Sequence, residues 1–135
     1  MNKNLNKTKS EIGRLGENVA AHFLKKSKYK LCGRNVHISH NEIDIIALSK
    51  KQKVIVFVEV KTRSVVEDLY SPFGSPASAV NKEKQKRTIV AAREFLRQNP
   101  NFFEFQPRFD VIEIYLDKAT SEIVNINHIE NAFSV

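Results

Sequence analysis

Val54-Ile55-Val56-Phe57-Val58-Glu59-Val60-Lys61 is the stretch on which the fold turns. β-Branched and aromatic residues at this density read as a strand, with Val54, Val56, Val58 and Val60 on one face and Ile55, Phe57, Glu59 and Lys61 on the other. The first face is wholly apolar; the second turns abruptly from apolar to charged. Upstream, Glu42-Ile43-Asp44-Ile45-Ile46-Ala47-Leu48 also reads as a strand, and the polar, lysine-rich Ser49 to Lys53 is short enough to close a hairpin. A turn centred between Lys51 and Gln52 sets Ile43 against Val60, Ile45 against Val58 and Ala47 against Val56. On the other face Leu48 meets Ile55, Ile46 meets Phe57, Asp44 meets Glu59 and Glu42 meets Lys61. A slip of one residue mixes the faces and is disfavoured; a slip of two preserves them and stays open.

In either register three carboxylates and one ammonium group collect at one end of one sheet face. Opposed carboxylates such as Asp44 and Glu59 repel when ionised, and partial burial raises that cost unless a proton or a cation intervenes. A hard cation, Mg²⁺ or Mn²⁺, suits such a pair, because it keeps several waters and leaves coordination sites for a substrate phosphate. It would polarise a phosphoryl oxygen and activate water, while Lys61 offsets the charge that develops in the transition state. These are the parts of a phosphodiester hydrolase. The plainer alternative is a Glu42–Lys61 ion pair on a solvated face. The nearly continuous apolar runs around the cluster weigh against it, since they place the charges partly inside the fold.

Glu42-Ile43-Asp44 followed by Phe57-Val58-Glu59-Val60-Lys61-Thr62-Arg63 resembles the metal-binding core of the PD-(D/E)XK nuclease superfamily. More narrowly, the chain is similar to the bacterial YraN-like family of endonuclease-like proteins. That resemblance runs from Gly13-Arg14-Leu15-Gly16-Glu17 through the hairpin, Phe73-Gly74, Ala79-Val80 and Lys84-Gln85 to Arg108-Phe109-Asp110 and Asn131-Ala132-Phe133. It implies a restriction-endonuclease-like fold, Asp44 and Glu59 as metal ligands and Lys61 as the catalytic lysine. Glu17 and Glu42 would be further acidic members, and Lys84 with Gln85 accessory groups from a helix. It implies endonuclease-type hydrolysis of DNA, including branched or structured DNA, with two alternatives: an RNA-processing nuclease, or a nucleic-acid-binding protein that keeps the fold without turnover. Ile43 stands where the superfamily has a proline before the aspartate, and Asn41 where the family usually has a glycine. Asn tolerates left-handed backbone, so a turn there would survive.

At 135 residues, with 41% hydrophobic and 27% charged residues, the chain fits one domain with a sizeable core. A net charge of +7 and a pI near 9.6 suit a polyanionic partner. The single cysteine, Cys32, excludes an intramolecular disulfide and reads as a small buried residue. No apolar leader or bilayer-length run occurs, which makes a cytoplasmic protein without membrane association the expectation. His37 and His40 lack zinc-ligand spacing. A homodimer is expected if the substrate has two scissile strands.

After a basic lead-in, expected to be disordered over residues 1–7, Thr8 and Glu11 form a capping box that starts a helix reaching about Ser27. Glu17 shares a face with Gly13, Ala20, Ala21 and Leu24, small enough to pack closely on a sheet; spacing alone favours an ordinary exposed glutamate, and the resemblance an inward one. Tyr29 to Val36 reads as the first strand, with Gly33 a bulge or a bend. Tyr70 and Phe73 give aromatic faces to the Pro-rich loop 70–76, fit either to stack on bases in a flap or to pin the loop. A second helix is expected from Pro76 or Ala77 to Gln98, with Val80, Lys84, Thr88, Ala91 and Phe95 facing inward. Lys82, Lys86 and Arg87 on its outer faces, together with Arg63, are the candidate phosphate contacts. Arg108 to Leu116 and Glu122 to Ile129 read as the last strands, with Asp110 paired structurally to Arg108 or a lysine. The order predicts an α/β sandwich: a central mixed sheet, its first three strands a meander, flanked by two helices.

Overall fold

The computed structural model describes residues 7–66 and 81–134. Its elements are α1 (Lys9–Lys26), β1 (Lys30–Ile38), β2 (Asn41–Ser49), β3 (Val54–Val65), α2 (Lys82–Gln98), a short 3₁₀ turn (Pro100–Phe102), β4 (Gln106–Asp117) and β5 (Ile123–Phe133). The strands form one sheet in the order β1-β2-β3-β4-β5, with β3 and β4 parallel and every other pair antiparallel. This is the expected α/β architecture, consistent with a restriction-endonuclease-like core. Among the described residues, no helix is long and apolar enough to cross a membrane.

Each helix covers one face of the sheet, and small residues let it approach. Ala20, Ala21 and Leu24 of α1 cluster with Ile45, Ala47, Val56, Val58, Ile112 and Ile114. Ala91 and Ala92 of α2 cluster with Ile46, Leu48, Ile55, Phe57, Phe109 and Val111 on the opposite face. Both sides of β2, β3 and β4 are therefore buried, which explains why those strands read as almost unbroken apolar runs. The α1 start is the anticipated capping box: Thr8 N donates to Glu11 Oε1 at 2.9 Å and Glu11 N to Thr8 Oγ1 at 3.1 Å. The second helix begins later than expected. Asn81 is extended at φ −71°, ψ 162°, and its Oδ1 accepts from Lys84 N at 2.7 Å, so the helix starts at Lys82.

The β2–β3 hairpin holds the expected register for five rungs, from Ser49 opposite Val54 to Ile45 opposite Val58, and the two-residue slip does not occur. There the ladder ends. β3 carries on alone beside β4, paired along its whole length from Val54 opposite Gln106 to Val65 opposite Asp117. The expected pairs Ile43–Val60, Asp44–Glu59 and Glu42–Lys61 are not rungs of the sheet. Asp44 Oδ2 instead accepts the Val60 N–H at 2.8 Å. Alternation breaks with it: Ile43 joins the α2-side cluster and Ile45 the α1-side cluster, although strict period-two order would keep them together.

Between β1 and β2, Ile38 pairs with Asn41, and the turn survives there with Ser39 (φ 56°), not Asn41, in the left-handed conformation. The register shift between Leu31 and Gly33 is the expected bulge. Cys32 is half-buried against the α2-side cluster.

Asp110 is fully buried and does pair with Arg108, through bonds of 2.9 and 2.8 Å. His128 Nε2 at 2.7 Å and the Asn131 N–H at 2.9 Å complete its shell. Burial by itself would raise this carboxyl, but the bonds from His128, Arg108 and Asn131 outweigh it and hold it below the ordinary range. All three guanidinium nitrogens of Arg108 are engaged: Nε and Nη2 donate to Asp110, Nη2 also to the Tyr29 hydroxyl, and Nη1 to Gln52. The network locks β4 to β5 and to the chain just after α1.

Candidate functional site

Where β2 leaves β3, the sheet opens into a cleft. A cavity of about 490 Å³ is lined by Lys9, Ile12, Gly13 and Glu17 of α1, Asp44 of β2, and Glu59, Val60, Thr62 and Ser64 of β3. Gly16 brings α1 close to this end of β3, since a Cβ there would lie 1.8 Å from Thr62 Oγ1. The next residue, Glu17, is held by β1: Asn35 Nδ2 donates to its Oε1 at 2.8 Å and Arg34 lies 3.6 Å away. Asn35 does this from a left-handed backbone at φ 50°. Glu17 is thus an inward carboxylate with a side chain 16% exposed, not a solvated one.

Asp44 is the electrostatically stressed member. Burial, then the charge of Glu59, raises its carboxyl to about 7, with a further push from Glu17. The Val60 N–H and the Lys84 ammonium act in the other direction. Lys84 does point inward, reaching Glu59 Oε1 at 3.7 Å from the first turn of α2. Lys61 is half-buried two residues beyond Glu59 on β3, in register with Glu113 of β4. Glu17, Asp44 and Glu59, from three elements, therefore line one opening, and Lys84 of α2 reaches Glu59 beside it.

Other predicted members lie elsewhere. Glu42 sits at the outer end of β2 and pairs with His37 at 3.1 Å, its side chain 42% exposed. Gln85 lines a separate groove along α2. Arg63 turns toward the fully buried Glu113 at 3.8 Å, and Arg87 toward Glu83 at 4.0 Å. Tyr70 and Phe73 lie outside the described residues. A cavity of about 520 Å³ beside Arg108 and Asn131 at the other end of β4 presents an arginine whose three nitrogens are each already engaged.

A family model described as uncharacterised protein family UPF0102 matches residues 16–114. A UPF0102 protein of Caldanaerobacter subterraneus subsp. tengcongensis is 43% identical over 93% of this chain and 96% of its own length. The chain belongs to the UPF0102 family. Further UPF0102 relatives are those of Chloroherpeton thalassium, 40% identical over 93% of this chain and 95% of its own, and Clostridium perfringens, 37% over 97% and 100%. The solved structure of Pyrococcus furiosus SfsA in complex with Ca²⁺ is similar at a TM-score of 0.36 and 12% identity, covering 90% of this chain and 65% of that one. A likeness of that degree carries no argument.

The match to UPF0102 bears out the YraN-like resemblance read from the motifs, and it covers Glu17, Asp44, Glu59, Lys61 and Lys84. Within this UPF0102 chain the sequence reading missed Arg34, Asn35 and the Gly16–Thr62 contact as supports of the cleft, and Glu113 as a buried acid beside Arg63. Arg34 and Asn35, which hold Glu17, give no local signal, because they act across a tertiary contact. The Gly16–Thr62 approach is equally long-range. Glu113 did carry a signal: it is a lone acid inside Val111-Ile112-Glu113-Ile114, where every neighbour is buried and apolar. Asn127 Nδ2 donates to its Oε1 at 3.1 Å, while Glu113 Oε2 and Arg63 Nε are buried without hydrogen bonds among the described residues.

Proposed function

We propose that this UPF0102 protein is a Mg²⁺- or Mn²⁺-dependent phosphodiesterase of the endonuclease type, acting on nucleic acid and on DNA in preference to RNA. The observation that carries this reading is Asp44, a half-buried carboxylate set against two others in an open cleft and raised to about 7 by burial and then by the charge of Glu59. Among the described residues no three His, Cys, Asp or Glu side chains form a ready-made metal cage. A carboxylate pair is nonetheless the donor set that a strongly hydrated, oxygen-seeking ion takes, whereas zinc would want nitrogen or sulfur. Asp44 and Glu59 would hold the ion, with Glu17 placed to accept from its waters. When bound, it supplies charge to a phosphoryl oxygen and lowers the pKa of water.

The chain's own groups do the rest. The Val60 N–H fixes Asp44, and Lys84 restrains Glu59. Lys61 reaches from the same face as Glu59 to a phosphate oxygen and stabilises the added negative charge. The basic surface draws the polyanion in. The preference for DNA rests on the motif's resemblance, and a homodimer is needed where both strands of a duplex are cut.

Calorimetry with Mg²⁺ and Mn²⁺, followed by cleavage of duplex, flap and four-way DNA and of structured RNA, tests the reading. Wild type is expected to bind the ion, and Asp44→Asn and Glu59→Gln are not. Lys61→Met is expected to retain the ion yet cut about 10²–10³-fold more slowly. Ion binding without cleavage of any substrate would turn the reading into that of a binding protein; no ion binding at all would end it.

A further inference from the structure

A second surface of the molecule is built for a polyanion. Lys82, Gln85, Lys86, Ile89, Val90 and Arg93 of α2, with Ser134, line a groove of about 480 Å³. Positions 82, 86, 89 and 93 recur every three or four residues, so their side chains form one stripe along the helix. At 1.5 Å per residue that stripe is about 16 Å long. Lys82, Lys86 and Arg93 are exposed, and among the described residues no carboxylate lines the groove. Among the described residues none of these three cations has an ion-pair partner, whereas Arg87 is taken by Glu83 and Lys84 by Glu59. The floor between them is apolar, with Val90 58% exposed, which a merely solvated helix face does not need.

We infer that this groove holds one strand of nucleic acid, its phosphates on Lys82, Lys86 and Arg93 and its sugars and base edges on Ile89 and Val90. The inference rests on the nucleic-acid reading above and gives it a path. The stripe begins at the helix turn that sends Lys84 into the cleft, so it leads a strand away from Asp44 and Glu59. The cations stand in single file, and the apolar floor complements the sugar and base surface that an unpaired strand exposes and a duplex turns inward. Arg93 replaces Arg87 in the set of phosphate contacts, because Arg87 is already paired.

The test is fluorescence anisotropy with a labelled oligo-dT strand in EDTA, so that nothing is cut, across about 50 to 200 mM KCl. Each phosphate contact to a single strand contributes about 0.7 to the slope of log K against log [salt]. Lys82→Gln/Lys86→Gln/Arg93→Gln is expected to lower that slope by about 2. Lys50→Gln/Lys51→Gln/Lys53→Gln, an equal loss of charge on the β2–β3 turn, is expected to leave it nearly unchanged. Circular dichroism melts establish that both triples fold. Equal slopes for the two triples, or no change in the first, would overturn the inference, as would a larger loss on the matching duplex than on the strand. Asp44→Asn is expected to keep the wild-type slope, which separates failure of the groove from failure of the metal site.

Discussion

Asp44→Asn is expected to make the cation-free protein more stable at pH 8 and to leave its stability at pH 4 unchanged. In the unfolded chain this carboxyl titrates near 3.8; in the folded protein burial and the charge of Glu59 raise it to about 7. Between those values the native state binds the extra proton, so stability falls as pH rises from about 4 to 7 and is flat beyond. At 1.36 kcal/mol per pH unit the ionised Asp44 destabilises the native state by about 4 kcal/mol. A buried asparagine keeps an oxygen for the Val60 N–H but retains some desolvation, so a net gain of about 2 kcal/mol is expected. For a domain of this size that is roughly 8 °C in Tm. Adding Mg²⁺ at about 100-fold over its Kd should stabilise wild type by about 2.7 kcal/mol and the variant not at all, reversing their order. Thermal melts at pH 4 and pH 8, with and without Mg²⁺, read all of this. A variant that is less stable by the same margin at both pH values would show Asp44 to be an ordinary backbone cap, and the reasoning from charge stress would fail.

Two further outcomes follow from the packing. Gly16→Ala forces a methyl group to within 1.8 Å of Thr62 Oγ1 and should lower stability by about 1–3 kcal/mol in urea denaturation, with partial rescue by Thr62→Ala. Asp110→Ala removes the carboxylate that balances Arg108, whose side chain is 11% exposed, and should cost about 3–5 kcal/mol without altering Mg²⁺ affinity by calorimetry.

The hairpin register was legible because chemistry penalised the one-residue slip: shifting β3 would have put Asp44 against Val58 and Glu59 against Ile43. The first helix was legible because its capping box is local. What local pattern did not reveal is the end of the ladder. Period-two alternation extrapolates Asp44 into a rung with Glu59, whereas the folded chain turns that side chain onto the Val60 N–H and sends Ile43 to the other layer. The start of α2 was misplaced for a different reason. Proline and small residues at 76–78 suit a first turn, but Asn81 bonding back from Lys84 N is the stronger cap. Glu42 was assigned to the cleft on that same extrapolated pairing, and its partner is His37 instead.

The opening between β2 and β3 explains why the acids sit where they do. A sheet continued past Val58 would satisfy its backbone groups internally and leave no polar interior. Once β2 peels away, the Val60 N–H needs an acceptor, and a buried unpaired donor there would cost about 1–3 kcal/mol. Asp44 supplies that acceptor and is thereby held beside Glu59. The third acid arrives by packing alone: Gly16 lets α1 close on Thr62, and Glu17, one residue on, is carried to the cleft and fixed by Asn35 and Arg34. Backbone satisfaction and helix docking, each a requirement of folding, thus produce a cluster of like charge whose electrostatic cost only a proton or a cation removes. On the proposed function, the stability deficit of Asp44 and the affinity for a divalent ion are two readings of the same energy, which is why one substitution should move both in opposite directions.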